Sequence, residues 1–169
     1  MAAKAQAPAN IQDVCDYIIV KMDEAQVHLN VLKLHKLLYY VQAWYLAFMD
    51  GRRCFDDEFQ AWVHGPVNRT IFDRFRSEKA MYSRVRVGDV RSEFNLENIP
   101  ANVKRHIDAV LEVYAEFTDD QLEQMTHDEE PWQTARAGLR PTERSENVIS
   151  DDLMREYYGA RVKRAPANG

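Results

Sequence analysis

Cysteine, glycine and proline are all scarce in this chain of 169 residues: two cysteines, six glycines and six prolines. Two cysteines without a CxxC pair exclude a disulfide scaffold. Cys15 and Cys54 sit among apolar neighbours and are expected as buried free thiols, which suits a reducing cytoplasm. No glycine-rich loop of the Walker A or GxGxxG kind occurs, and HExxH and GxSxG are missing too. No apolar run approaches the roughly 18 residues of a membrane span, because Lys33 and Lys36 interrupt the most apolar stretch. The first ten residues lack the apolar segment of a secretory signal. Five histidines are present, at 28, 35, 64, 106 and 127, and none pairs with another at metal-ligand spacing. These absences predict a cytoplasmic protein without a membrane partner, a metal or a cofactor.

What is there is helical periodicity. Hydrophobic residues make up 46% of the chain and charged residues 29%, which fits one globular domain. Asn10 can cap a helix whose stripe is Ile11, Val14, Ile18 and Met22. Asn30 can cap a second, apolar nearly all round from Val31 to Phe48, and such a helix belongs at the centre of its domain. Gly51 follows as a permissive stop. Spacing alone predicts a short helix over 55–63, a helix that starts at Pro66, and a loop with a small hairpin near 84–94. Further helices are expected after Pro100, after Thr118 with Gln121 in a capping box, at Pro131-Trp132, and from Ser150. The fold class is therefore mainly α, a single compact helical domain over 10–159 around a central buried helix. A flexible N-terminus (1–9) and a flexible basic tail (160–169) flank it.

The charge is uneven. Residues 52–91 carry nine basic and six acidic groups, whereas residues 92–130 carry two and eleven. The acidic run over 112–130 reads as a solvated face or as a docking surface for a basic partner. The basic stretch has no nucleic-acid-reading motif, so nucleic acid is not an expected partner. For an enzyme, His64 and His127 with Glu130 are the only catalytic candidates, and each histidine can equally cap a helix or satisfy a buried carbonyl. The residues alone favour a binding protein over an enzyme.

Three blocks carry a resemblance. Residues 33–47, Lys-Leu-His-Lys-Leu-Leu-Tyr-Tyr-Val-Gln-Ala-Trp-Tyr-Leu-Ala, resemble the marker helix of the Panacea domain family, with His35 where many members carry Gln. Ala61-Trp62-Val63-His64-Gly65-Pro66-Val67 resembles its second block and Thr126-His127-Asp128-Glu129-Glu130-Pro131-Trp132 its third, while residues 148–152 fit its closing turn. The resemblance implies a bacterial antitoxin that binds a cognate toxin directly. It marks Lys33, His35, Tyr39, Tyr40, Trp44, Trp62, His64, Gly65, Pro66, His127, Glu130, Pro131 and Trp132 as motif or partner-binding positions. It further implies a proteolytic adaptor for the ClpX unfoldase of ClpXP, with Arg161, Val162, Lys163 and Arg164 as a tether to the protease. The competing readings are neutralisation by occlusion without proteolysis and a DNA-binding regulator of a toxin–antitoxin operon.

Overall fold

In the computed structural model, which describes residues 6–164 and side chains through residue 162, the helix caps fall where short polar residues interrupt the apolar pattern. Asn10 accepts the Gln12 N–H and starts α1 (Ile11–Glu24), and Asn30 accepts the Lys33 N–H at 2.8 Å and starts α2 (Val31–Phe48). Each cap satisfies a backbone donor that the first turn of a helix leaves free. Fifteen of the eighteen residues of α2 are buried, so it is the central element. Around it pack α1, α4 (Ala101–Tyr114), α5 (Asp119–His127) and α7 (Asp151–Arg164). The Thr118–Gln121 capping box opens α5 as its sequence signature predicts. The short α3 (Arg69–Phe75) and α6 (Glu130–Ala135) complete seven α-helices among the described residues. None of the helices is long and apolar enough to cross a membrane.

Three expectations are corrected. Residues 60–67 form an antiparallel hairpin, β1 (Gln60–Trp62) and β2 (Gly65–Val67), in place of a helix over 55–63. Phe59 and Ala61 point inward while Gln60 and Trp62 point outward, a period of two hidden within an aromatic spacing that also fits a helix. The other edge of β1 pairs with 147–149, through Ala61 N–H to Asn147 O and Ile149 N–H to Phe59 O. Pro66 therefore sits on the outer strand, where its missing N–H is tolerated, and α3 begins later, capped by Asn68. The hairpin expected near 84–94 is absent. Arg84 and Val85 instead lie antiparallel to 29–30, and Val87–Asp89 is a single 3-10 turn closed by Arg86 N–H to the Asp89 carboxylate.

The third correction concerns the ends. Ala9 donates its N–H to Cys54 O at 3.0 Å, and α7 stays helical through Arg164, so residues 160–164 are not a loose tail. The remainder of both terminal segments, 1–5 and 165–169, lies outside the described residues. Cys15 and Cys54 are buried free thiols, each pushed up to about 12 by burial, so neither is a reactive thiolate.

The basic stretch is largely consumed by internal ion pairs. Asp16, fully buried on α1, accepts from Arg74 at 2.5 Å and from Arg91 at 2.6 Å, and Arg91 also reaches Asp13 at 2.6 Å. Lys79 pairs with Asp89, and Arg69 and Arg76 with Asp73. The two Arg91 pairs tie the irregular segment over 77–99 to α1, and the Arg74 pair ties α3 to it.

Candidate functional site

The motif residues of α2 turn inward and use their polar tips to hold other parts of the chain. Lys33 donates from Nζ to Ala115 O at 2.5 Å, and burial lowers its pKa. One turn on, the fully buried Lys36 donates to His64 O at 2.6 Å. Burial pulls its pKa down to about 8, against the raising fields of Glu123, Asp119 and Asp120. His35 is also fully buried and takes the Asn68 N–H on Nδ1 at 3.2 Å. Burial holds its pKa at about 3, so the ring is neutral and its proton is assigned to Nε2, which has no partner among the described residues. Gln42 accepts the Cys54 N–H and donates to Phe55 O, closing the turn after α2.

The aromatic half of α2 builds a second network. Tyr40 donates to Glu129 Oε1 at 2.7 Å, and Tyr158 of α7 donates to the same oxygen at 2.9 Å. Tyr39 and Tyr158 meet through their hydroxyls at 3.1 Å, and Tyr40 stacks on Tyr114 with centroids 4.0 Å apart. Trp44 donates from its indole N–H to the Tyr114 hydroxyl at 2.8 Å. Burial raises the pKa of Glu129, and its two tyrosine donors oppose that rise. It also raises every tyrosine in the cluster, so all of them are protonated donors near neutrality.

The second and third blocks meet on this scaffold. Trp132 donates from its indole N–H to Trp62 O at 2.9 Å, and its ring stacks on His127 at 4.0 Å. Arg136 lies over the Trp132 ring and donates to Ala61 O at 3.0 Å. Gly65 sits at φ +114°, and a Cβ there would stand 3.0 Å from Lys36 Nζ and 3.1 Å from Thr126 Oγ1. Only glycine suits both that left-handed backbone and that close approach. Pro66 is buried in β2, Pro131 begins the first turn of α6, and both fix their chain direction. His64 projects outward, its side chain 63% exposed, and bonds Glu123 at 2.7 Å.

A family model described as antitoxin SocA-like, Panacea domain, matches residues 34–133, more than half of the chain. The chain belongs to that family. No curated protein and no solved structure matches it. The matched span holds all three Panacea blocks except Lys33, and Tyr158, from beyond it, completes their hydrogen-bond network.

Several residues that assemble the Panacea scaffold are not among the positions its motifs mark. Glu129, rather than the exposed Glu130, receives the tyrosines, and Glu123 rather than Glu130 receives His64. Lys36, Thr126, Tyr114 and Tyr158 belong to the same machinery. Their signal was a polar group embedded in an otherwise apolar helical stripe. The acidic run is split accordingly: Asp119 accepts from Asn30, Glu123 and Glu129 are engaged as described, and Glu112, Glu116 and Asp120 remain exposed. Among the described residues, no group of three or more His, Cys, Asp or Glu side chains is placed to hold a metal ion.

The accessible aromatics of the Panacea domain converge elsewhere. Half-buried Trp44 contacts Phe48 (58% exposed) at 5.9 Å and Tyr158 at 5.2 Å, and Phe48 contacts His106 on α4 at 6.2 Å. Along α4, Val113 is 61% exposed on the flank shared with His106, and Phe117 lies beyond it against Tyr114. On α7, Tyr157 packs on Tyr158 and carries the Arg161 guanidinium over its ring at 3.4 Å. Arg161 also donates to Tyr157 O, so this residue of the expected tether is held along α7.

Proposed function

We propose that this chain is an antitoxin that binds its cognate toxin, a SocB-like protein, through the aromatic face around Trp44 and Phe48. It acts as a non-catalytic proteolytic adaptor in the cytoplasm and hands the toxin to the ClpX unfoldase of ClpXP. The observation that carries this reading is the antitoxin family match over residues 34–133. Tryptophan, tyrosine and arginine are the side chains from which most binding energy comes at protein interfaces, and Trp44, Tyr157 and Arg161 stand there beside Phe48 and Val113. The motif residues favour binding over chemistry. His35 is held neutral and Lys36 is closed off beneath Gly65, so neither can exchange a proton with a substrate near neutrality. A regulator that reads DNA with the central helix is disfavoured, because α2 is buried along most of its length.

An adaptor needs a second surface for the protease. The basic end of α7, with Arg161, Val162, Lys163 and Arg164, is the candidate, presented from a helix rather than from a free tether. The test combines purified toxin, this chain, ClpXP and ATP. Toxin is expected to disappear only when the chain is present, while the chain itself persists. Phe48→Asp with Val113→Asp is expected to abolish toxin binding and delivery and to leave the fold intact. A toxin that is bound and inactive yet stable to ClpXP assigns neutralisation to occlusion. A toxin that the chain does not bind overturns the antitoxin reading.

A further inference from the structure

The end of α1 and the extended segment 84–86 enclose a cavity of about 410 Å³, within the range of roughly 300–1,000 Å³ typical of small-ligand sites. Met22, Leu29 and Val85 lie behind its wall, all of them buried, so the surface it offers is mainly polar. Arg84 and Arg86 also line it, two positions apart in extended chain and so on one side of that segment. Most basic residues over 52–91 are paired internally, but these two have no carboxylate within ion-pairing distance among the described residues. Asp23 lines the same cavity and offsets one of the two charges.

The backbone of the rim supplies an independent observation. The Val27 N–H donates to Met22 O and the Gln26 N–H to Asp23 O, both at 3.0 Å, the pattern that ends a helix with one left-handed residue. That residue is Gln26, at φ +56°. Glycine adopts this conformation without strain, whereas glutamine there is strained. Strain of this kind is concentrated at binding sites, and Gln26 is a residue of the cavity wall with an amide that can donate to an anion.

We propose that this cavity binds a carboxylate group, held by Arg84, Arg86 and the Gln26 amide. Two guanidiniums opposed by Asp23 leave one net positive charge, which favours a single negative charge on the ligand. A free aliphatic acid and the C-terminal carboxylate of a partner chain both present this chemistry. The site shares no residue with the aromatic face and its test needs no toxin.

An amide-resolved NMR titration of the full chain separates the sources. The probes are sodium octanoate, an acetylated pentapeptide ending in leucine with a free carboxylate, and the C-terminal amide of that peptide. Saturable shifts in residues 22–29 and 84–86 are expected with at least one of the two acids and not with the amide. Octanoate alone assigns a small-acid site, and the free-acid peptide assigns a chain terminus. Arg84→Ala with Arg86→Ala is expected to weaken binding about tenfold, roughly 1.4 kcal/mol. Gln26→Gly is expected to raise the melting temperature while weakening binding, opposite signs that a purely structural glutamine does not produce. Absence of saturable shifts with both acids, equal binding of the amide, or unchanged affinity in the double arginine variant overturns the proposal.

Discussion

The core around α2 and the belt over 77–99 are both irregularly connected regions held by polar contacts, yet the contacts differ in kind. In the core, the long side chains of Lys33, Lys36, Gln42 and Arg136 reach backbone carbonyls that strands and helix ends leave open. At the belt, a fully buried carboxylate, Asp16, gathers Arg74 of α3 and Arg91, and Arg91 holds the irregular segment onto α1. The first arrangement adjusts its charge by shifting pKa values, as Lys36 and His35 do. The second cannot, since an arginine stays charged whatever its surroundings. Its integrity depends on every partner being present.

The sharpest way to break the comparison is Asp16→Ala. It leaves Arg74 and Arg91 without their buried partner and is expected to cost about 3–5 kcal/mol in denaturant unfolding. Amide exchange is expected to rise first over 77–99. Leu38→Ala, in the fully buried centre of α2, is expected to cost about 2–5 kcal/mol, spread over the whole domain because every neighbouring helix loses packing. If the two variants give the same exchange pattern, the belt and the core are one cooperative unit. Tyr158→Phe removes a hydroxyl shared by Tyr39 and Glu129 and is expected to cost about 1 kcal/mol, read as faster exchange in α7.

The smallest effect at neutral pH, and the most specific, concerns His35. Its folded pKa of about 3 lies below the unfolded value of 6.5, so the unfolded chain takes up the proton first as pH falls. The stability that neutral His35 contributes is complete above pH 6.5 and is lost as pH drops through 6.5 toward 3. His35→Gln is expected to flatten that part of the stability profile, measured by denaturant midpoints at successive pH values. An unchanged slope assigns acid sensitivity to other groups; Glu129 is not among them, since a carboxyl whose pKa is raised by folding gains stability as pH falls.

Much of this architecture was legible in the residues. The Asn10, Asn30 and Thr118 caps and the all-round apolar α2 follow from local rules, and each is realised at the residue where its signal sits. The hairpin at 60–67 was not legible, because Phe55, Phe59, Trp62 and Val63 fit a helical spacing better than an alternating one. What decided it lies more than 80 residues away: the segment 147–149 offers an edge for β1. The site divides the same way. The three blocks announced themselves as a set, but Glu129, Glu123 and Tyr158 took their roles from the packing of α5, α6 and α7 on α2.

By itself the chain determined its helices, their caps, the central place of α2 and the family to which it belongs, since all of these rest on short-range periodicity and on residue order. Tertiary structure decided which of the many polar residues are tools of assembly and which meet solvent. Lys36 and Glu112 look equally suited to water in the sequence, yet one is buried against a carbonyl and the other is exposed. The physical reason is that a buried polar group is tolerated only when a distant segment supplies its partner, and that partner exists only once the chain has closed around it.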